Sequence, residues 1–324
     1  MGAAAIERAG SAIAADVRAG LTRAGQKELP SVYLYDAIGT ALFEAITLLP
    51  EYGLTRADER ILQRHSRAIL ERLPVPLVVT ELGSGTGRKT RWLLEALARS
   101  GPVTYYPIDI SAAALERCKL EMATVGSIGV VGLEQPYLDG LREVAARRTP
   151  GEALLVLFLG STIGNFERAA GEEFLRAIRR LLRPGDGLLV GADLVKPAAR
   201  LIAAYDDPTG VTAAFNLNLL ARINRELGAG FSLRQFAHRA RYDERQRRIE
   251  MHLVSQRRQT VSIPAAGIVV SFEKGETIWT EACHKFDLDG LAAMAVRCDF
   301  RTEAQWVDPE WPFAESLWIA AQNS

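Results

Sequence analysis

The sequence predicts an α/β fold built on a doubly wound parallel sheet. Short apolar runs, typical of buried parallel strands, lie at Leu77 to Leu82, Val103 to Asp109, Ala153 to Leu159 and Gly187 to Asp193. Amphipathic stretches separate these runs at the spacing expected of helices that connect parallel strands. The first run ends in a glycine-rich loop, which is where sheets of this class bind ligands.

The elements between and after these strands have signals of their own. Trp92 to Leu97 places apolar side chains on one broad helical face, and Ser111 is a suitable N-cap for the helix after the second strand. Gly171 to Leu182 is amphipathic and stops at a turn. Phe300 to Val307 and Ser316 to Ala321, around a proline-rich turn, predict a hairpin that closes the same domain.

Two pieces of the chain, residues 1–56 and 197–284, lie outside this alternation. The second piece contains a helical stretch, Ala213 to Leu227, and strand-like stretches, Arg248 to Ser255 and Gln259 to Ser271. We expect the two pieces to pack together into a second, α+β domain. The predicted domains are therefore residues 57–196 plus 285–324, and residues 1–56 plus 197–284.

Composition excludes several classes of partner. The 324 residues contain 39 Lys plus Arg and 39 Asp plus Glu, so no net charge favours nucleic acid or an anionic membrane. The segment Met1 to Leu21 lacks the apolar run of a secretory signal, and no stretch approaches the roughly 20 apolar residues that span a bilayer. We therefore expect a cytoplasmic protein that acts on a small molecule, with a monomer as the expected state.

The cysteines indicate neither a disulfide framework nor a metal site. Cys118, Cys283 and Cys298 are far apart in the sequence and show no CxxC spacing. They are predicted to be reduced thiols. No metal is expected.

The glycine-rich loop has the sequence Glu81-Leu82-Gly83-Ser84-Gly85-Thr86-Gly87. Its glycines allow a tight turn and a close approach of the backbone to a ligand, next to the free N–H groups of a helix start. The spacing is neither the GxGxxG of nicotinamide sites nor the GxxxxGK[ST] of a P-loop. A strand that ends in an acid and GxGxG is similar to the loop of methyltransferases that bind S-adenosylmethionine. Asp109, at the tip of the next strand, is then expected to accept hydrogen bonds from ribose hydroxyls.

Further segments point the same way: Tyr35 to Gly39, Leu49 to Tyr52, Phe158 to Asn165, Ala204 to Asp207, Ile249 to Met251 and Thr280 to Phe286. Together they resemble the L-histidine Nα-methyltransferases of ergothioneine biosynthesis, from about Asp16 onward. The resemblance implies a Rossmann-like S-adenosylmethionine-dependent methyltransferase domain and a second α+β domain for substrate recognition. The implied reaction methylates the α-amino group of free L-histidine and gives Nα,Nα,Nα-trimethylhistidine, hercynine.

The resemblance also implies roles for single residues. The cofactor-binding positions would be Gly83, Gly85, Lys89, Asp109, Glu134 and Gly160. The substrate-binding positions would be Tyr52, Phe43, Thr162, Asn165, Tyr205, Met251, Glu281 and Cys283. Among these, Tyr52, Asn165 and Tyr205 would hold the α-carboxylate and α-amino group, and Met251, Glu281 and Cys283 would line the imidazole pocket. Asn165 and Tyr35 are the expected catalytic positions.

The chemistry of methyl transfer to an amine is consistent with these residue types. An in-line displacement by a neutral amine needs positioning more than a strong base, so no histidine is assigned a catalytic role. Asn165 can donate to a carboxylate and accept from an amine at the same time. Glu281 would accept a hydrogen bond from an imidazole N–H and so reject amino acids that cannot donate one.

Two departures from the family pattern leave alternatives open. Cys283 stands where the family has Ser, which weakens one hydrogen bond to the imidazole. Gly132-Leu133-Glu134 stands where the family has Gly-Asp-Phe against the adenine, and Glu134 would supply the missing carboxylate one position later. The alternatives are an Nα-methyltransferase for tryptophan or tyrosine, and a non-catalytic sensor of S-adenosylmethionine. Glu281 has an alternative of its own, an ion pair with Lys285 across one helical turn.

Overall fold

The structure is a computed structural model that describes the backbone of residues 3–321 and the side chains of residues 12–321. Residues 1, 2 and 322–324, which belong to the predicted domains, lie outside the described residues. The α-helices are α1 (Ala3–Leu21), α2 (Ala37–Leu48), α3 (Leu54–Leu70), α4 (Arg91–Ala98), α5 (Ala112–Met122), α6 (Tyr137–Arg147), α7 (Arg168–Leu181), α8 (Ala198–Tyr205), α9 (Val211–Leu227) and α10 (Leu288–Arg297).

The strands follow the same chain order. They are β1 (Lys27–Glu28), β2 (Leu77–Leu82), β3 (Val103–Asp109), β4 (Ile128–Val130), β5 (Leu133–Glu134), β6 (Ala153–Phe158), β7 (Gly187–Asp193), β8 (Phe236–Asp243), β9 (Arg248–Ser255), β10 (Gln259–Ile263), β11 (Ile268–Phe272), β12 (Thr277–His284), β13 (Phe300–Val307) and β14 (Phe313–Ala320). The four long parallel strands and the closing hairpin that the sequence predicts are confirmed.

The chain divides into two compact units. The first unit is Met1–Gly53 with Lys196–Cys283, and the second is Leu54–Val195 with His284–Ser324. The boundaries predicted from the sequence, after residues 56, 196 and 284, lie one to three residues from these. The recognition role assigned to the first unit stays a prediction.

The second unit is built on a single large sheet. Its strands run in the order β13-β14-β7-β6-β2-β3-β4, and β5 pairs with β3. The pairs from β7 to β4 are parallel, and the C-terminal hairpin adds two antiparallel strands beside β7. This topology confirms the predicted α/β class.

The faces of this sheet carry separate apolar cores. In β6, Leu154, Val156 and Phe158 belong to one buried cluster, whereas Leu155 and Leu157 belong to the other. Side chains alternate between the two faces of a strand, so a continuous apolar run such as β6 is what a sheet covered by helices on both faces requires.

The strand order reverses at β2. The chain continues from β2 to β3 and β4 on one side, and then returns to β6 and β7 on the other side. Loops at the carboxyl ends of the two central strands, β2 and β6, therefore diverge and leave a crevice, the usual ligand site of open parallel sheets. The glycine-rich loop follows β2, and the segment Leu159 to Asn165 follows β6.

The first unit contains a smaller sheet of order β1-β12-β9-β8 and the helices α1, α2, α8 and α9. The strand-like stretch Gln259 to Ser271 is not one strand but the antiparallel hairpin β10–β11. Pro264 begins the turn, and Gly267 at a φ of +60° completes it. Pro lacks the N–H of a central strand position, which explains the break. No helix within residues 3–321 combines the length and apolarity needed to cross a membrane.

Candidate active site

The loop after β2 depends on glycine for its conformation. Gly83, Gly85 and Gly87 have φ values of +74°, +54° and +70°, in the region that favours glycine. A Cβ atom at Gly83 would lie 2.8 Å from the Tyr137 hydroxyl oxygen, whereas one at Gly85 would meet no atom within 4 Å. The loop is therefore packed closely against Tyr137 at Gly83 and is open at Gly85, so the backbone at Gly85 is accessible to a ligand.

The loop is tied to the tip of β3 through Asp109. Oδ2 of Asp109 accepts a hydrogen bond from the Gly85 backbone N–H at 3.1 Å, and Oδ1 accepts from the Ser111 N–H at 2.9 Å. Glu134 pairs with Asp109 in the parallel register of β3 and β5, and its side chain is exposed. Two carboxylates thus stand side by side at the ends of adjacent strands, next to the glycine loop.

A buried charge cluster lies behind this loop. Asp58 on α3 is fully buried and forms an ion pair with Lys89. The same oxygen, Asp58 Oδ2, accepts from the backbone N–H of Gly160 at 2.9 Å. One carboxylate therefore connects α3, the glycine-loop segment and the segment that follows β6.

Two more acids complete the cluster. Burial raises the pKa of Glu81 to about 7, against the opposing effect of Lys89 and hydrogen bonds to Oε2 from Tyr105 at 2.5 Å and Thr90 at 2.7 Å. Burial also raises the pKa of Glu315 well above its usual range, and Asp58 adds to the rise. Burial would lower the pKa of Lys89, but the surrounding acids raise it, so Lys89 stays a cation.

The segment after β6 reverses sharply before a short 3-10 helix. Gly160 and Ser161 have φ values of +71° and +60°, and the 3-10 helix Thr162–Asn165 follows. The Thr162 hydroxyl donates to the Leu159 carbonyl at 2.9 Å, and the Ser161 Oγ accepts from the Asp193 N–H at 2.9 Å. These bonds fix the turn and leave the Asn165 side chain exposed, with its amide accessible to a ligand.

The predicted acceptor residues of the first unit include a group of edge-to-face aromatic rings. Tyr35 lies 5.6 Å from Phe43, Phe43 lies 6.2 Å from Tyr52, and Tyr52 lies 6.0 Å from Tyr205, measured between ring centroids. Phe215 of α9 closes the group behind Tyr35 and Phe43. Such rings form an apolar wall with three hydroxyl groups for a polar ligand.

Glu281 lies beside this aromatic group. It is buried on β12, and its Oε1 is 3.5 Å from the Tyr35 hydroxyl oxygen. Cys283 lies two residues further on the same face of β12, and Met251 is buried on the neighbouring strand β9. The sequence alternative of a helical Glu281–Lys285 pair is wrong, because Glu281 is in a strand. Lys285 instead pairs with Asp193 at 3.0 Å.

The comparisons with known proteins agree with this geometry. A family model described as "Histidine-specific methyltransferase, SAM-dependent" matches residues 13–320. The chain belongs to this family. It is therefore an S-adenosylmethionine-dependent methyltransferase, and the predicted enzyme class and methyl donor are confirmed.

Relatives of this methyltransferase carry more specific names. The histidine N-alpha-methyltransferase of Mycolicibacterium smegmatis is 41% identical over 97% of this chain and 96% of its own. Ergothioneine biosynthesis protein 1 of Neurospora crassa is 37% identical over 63% of this chain and 23% of its own. The L-tryptophan methyltransferase of Psilocybe serbica is 27% identical over 88% of this chain and 86% of its own.

The predicted site residues of the methyltransferase are divided between the units. The first unit holds Tyr35, Phe43, Tyr52, Tyr205, Met251, Glu281 and Cys283. The second unit holds Gly83, Gly85, Lys89, Asp109, Glu134, Gly160, Thr162 and Asn165. Within the second unit the structure brings Gly85, Asp109 and Glu134 together, and it brings Lys89 and Gly160 together around Asp58.

Asp58 is not among the site residues predicted from the sequence. A signal for it existed, because the buried face of α3 is formed by Leu54, Ala57, Asp58, Ile61, Leu62, Ser66 and Ile69. A carboxylate on the apolar face of an amphipathic helix must find a cationic or N–H partner. Lys89 and Gly160, both predicted as cofactor contacts, are those partners.

Proposed function

We propose that this enzyme transfers methyl groups from S-adenosylmethionine to the α-amino group of free L-histidine and gives the trimethylated product. When bound, S-adenosylmethionine would supply a methyl group on a sulfonium; a neutral amine attacks the methyl carbon in line, and S-adenosylhomocysteine is the leaving group. The glycine loop fits the donor, because Gly85 is open and Asp109 presents a half-buried carboxylate beside it. Full-length similarity to a protein named histidine N-alpha-methyltransferase supports the choice of acceptor.

The observation that carries the choice of histidine is the buried carboxylate of Glu281. A carboxylate that is withdrawn from water needs strong donors, and an imidazole N–H is a suitable one. A pocket of this kind favours ligands whose ring carries an N–H over those with an aliphatic side chain.

The remaining predicted residues suit an amino acid's backbone groups. The hydroxyls of Tyr52 and Tyr205 can donate to an α-carboxylate, and their ring faces tolerate the cationic methylated ammonium. Asn165 can accept from the α-amine and donate to the carboxylate, and so orient the nitrogen lone pair. Tyr35 is proposed to contact the reacting amine. None of these steps requires a strong base, because solvent can take the proton.

The test is a comparison of all twenty amino acids as acceptors, with kcat/KM measured from the release of S-adenosylhomocysteine. Histidine is expected to exceed amino acids with aliphatic side chains by more than about 100-fold, and to have a higher kcat/KM than tryptophan and tyrosine. A higher kcat/KM for tryptophan would contradict the histidine assignment and leave the methyltransferase assignment intact. Release of no S-adenosylhomocysteine with any amino acid would contradict both.

The same proposal includes the setting of the reaction. We place the product in ergothioneine biosynthesis, which is supported by the relative named for that pathway. We further propose a cytoplasmic monomer that acts on the free amino acid and contacts neither nucleic acid nor membrane. The balance of 39 basic and 39 acidic residues supports the absence of such polyanionic partners.

A further inference from the structure

The C-terminal end of helix α8 is held by a buried histidine. α8 ends at Tyr205, and the last carbonyls of a helix lack partners within the helix. The Tyr205 carbonyl oxygen lies 2.7 Å from Nε2 of His238, which stands on the adjacent strand β8. The His238 side chain is 1% exposed, so water does not compete for this bond.

The other ring nitrogen of His238 is bound by an asparagine. Nδ1 of His238 lies 2.9 Å from Nδ2 of Asn216, a fully buried residue of α9. Nδ2 of Asn216 also lies 3.3 Å from the His252 carbonyl oxygen, which only accepts. The Asn216 amide is thereby fixed with its nitrogen toward both groups, so it donates to Nδ1.

These contacts determine the tautomer of His238. A carbonyl oxygen at Nε2 requires an N–H there, and a donor at Nδ1 requires a lone pair there. The ring is therefore neutral and protonated on Nε2 only. Burial lowers the pKa of His238, while the Tyr205 carbonyl, Asp206 and Asp207 raise it in part, so the net direction agrees with a neutral ring.

We propose that His238, oriented by Asn216, is a positioning residue that fixes Tyr205 for the amino-acid substrate. The inference rests on the proposed function, because it takes Tyr205 as a ligand of the α-carboxylate. Asp206 departs from helical geometry, with φ −147° and ψ 63°, so the helix does not continue past Tyr205. The hydrogen bond from His238 fixes the Tyr205 backbone at this helix end, and the Tyr205 ring stays 6.0 Å from that of Tyr52.

The first test needs no substrate. Nitrogen NMR of the uniformly labelled enzyme, with the His238 signals assigned from the His238→Gln spectrum, reports which ring nitrogen carries the proton. We expect a proton on Nε2 and none on Nδ1 between pH 6 and 8. A proton on Nδ1 would overturn the proposal, because the ring could not accept from Asn216.

The second test uses two substitutions. In His238→Gln the side-chain amide can still donate to the Tyr205 carbonyl, whereas His238→Leu cannot. We expect the leucine variant to raise the KM for the acceptor amino acid about tenfold, and the glutamine variant to raise it less than about threefold. The KM for S-adenosylmethionine should stay within about twofold of wild type in both.

His65→Gln and His65→Leu are the matched controls. His65 is on α3 and stacks on Trp306 in the second unit, so both variants should keep the wild-type KM for the amino acid. Equal KM increases in the two His238 variants, or an equal rise in the KM for S-adenosylmethionine, would overturn the positioning role. If His238→Leu fails to fold, a tenfold KM increase in His238→Gln still overturns it.

Failure of this inference is distinguishable from failure of the proposed function. If wild type prefers another amino acid, the same KM comparison is made with that acceptor, because every amino acid carries an α-carboxylate. An unchanged KM in His238→Leu then removes the role of His238 alone. A wild-type enzyme that methylates no amino acid overturns both.

Discussion

Replacement of Asp58 by alanine tests the buried charge cluster behind the glycine loop. The substitution removes the partner of Lys89 and the acceptor of the Gly160 N–H, both inside the second unit. Loss of one member of a buried ion pair costs about 3–5 kcal/mol of unfolding free energy. Because Glu81 and Glu315 also interact with Lys89 and offset part of the loss, we expect about 3 kcal/mol.

Urea unfolding followed by tryptophan fluorescence measures this loss. Trp92, Trp306, Trp311 and Trp318 belong to the second unit, so the signal reports mainly on the unit that holds Asp58. Asp58→Asn keeps an oxygen for the Gly160 N–H and loses only the charge, so it should cost less, about 1.5 kcal/mol. Calorimetry should also show weaker binding of S-adenosylmethionine in Asp58→Asn, by about tenfold, since Lys89 loses the ion pair that positions it.

Glu71→Ala is the matched control, since Glu71 immediately follows the same helix and pairs with Arg67 at the surface. An exposed i,i+4 pair of this kind contributes less than about 0.5 kcal/mol. If Asp58→Ala unfolds at the same urea concentration as Glu71→Ala, the cluster does not stabilise the second unit and the reasoning is wrong.

The remaining predictions concern the site itself. Glu281→Ala should raise the histidine KM at least 30-fold and change S-adenosylmethionine affinity less than twofold; calorimetric losses of equal size for both ligands would contradict the pocket assignment. Asn165→Ala should lower kcat at least tenfold without changing the melting temperature, and unchanged kinetics would remove Asn165 from the site. Cys283→Ser should lower the histidine KM about threefold, because a hydroxyl is the better hydrogen-bonding group; a higher KM would refute that reading. Because the pKa of Glu81 is raised from 4.5 to about 7, its stabilising effect is complete below pH 4.5 and lost as pH rises through 7. Glu81→Gln should therefore lessen the fall in stability across that range, by up to about 3 kcal/mol, and an unchanged pH profile would argue against it.

The parallel sheet could be predicted from the sequence because its strands are buried on both faces. β2, β6 and β7 are buried along almost their whole length and most of their residues are apolar, and glycine or turn residues flank these apolar runs in the sequence. The short strands β4 and β5 were not predicted, since Ile128–Val130 and Leu133–Glu134 are too short to show a periodicity. The hairpin β10–β11 was merged into one stretch, although Pro264 marked the break.

The site could be predicted only in part, for a different physical reason. A local sequence motif predicts Gly83, Gly85 and Asp109, because the strand, the tight turn and the tip of the next strand lie close together along the chain. Asp58 and His238 act through partners distant in sequence, on elements that only the fold brings beside them. Histidines that bind backbone carbonyls have no sequence motif, so His238 received no role from the sequence.

Mass spectrometry and NMR of histidine after incubation with the enzyme and excess S-adenosylmethionine test the proposed reaction most directly. We predict a product with three added methyl groups, all on the α-nitrogen, with the imidazole nitrogens unmodified. Unchanged histidine, or methyl groups on the ring, would contradict the proposed acceptor group.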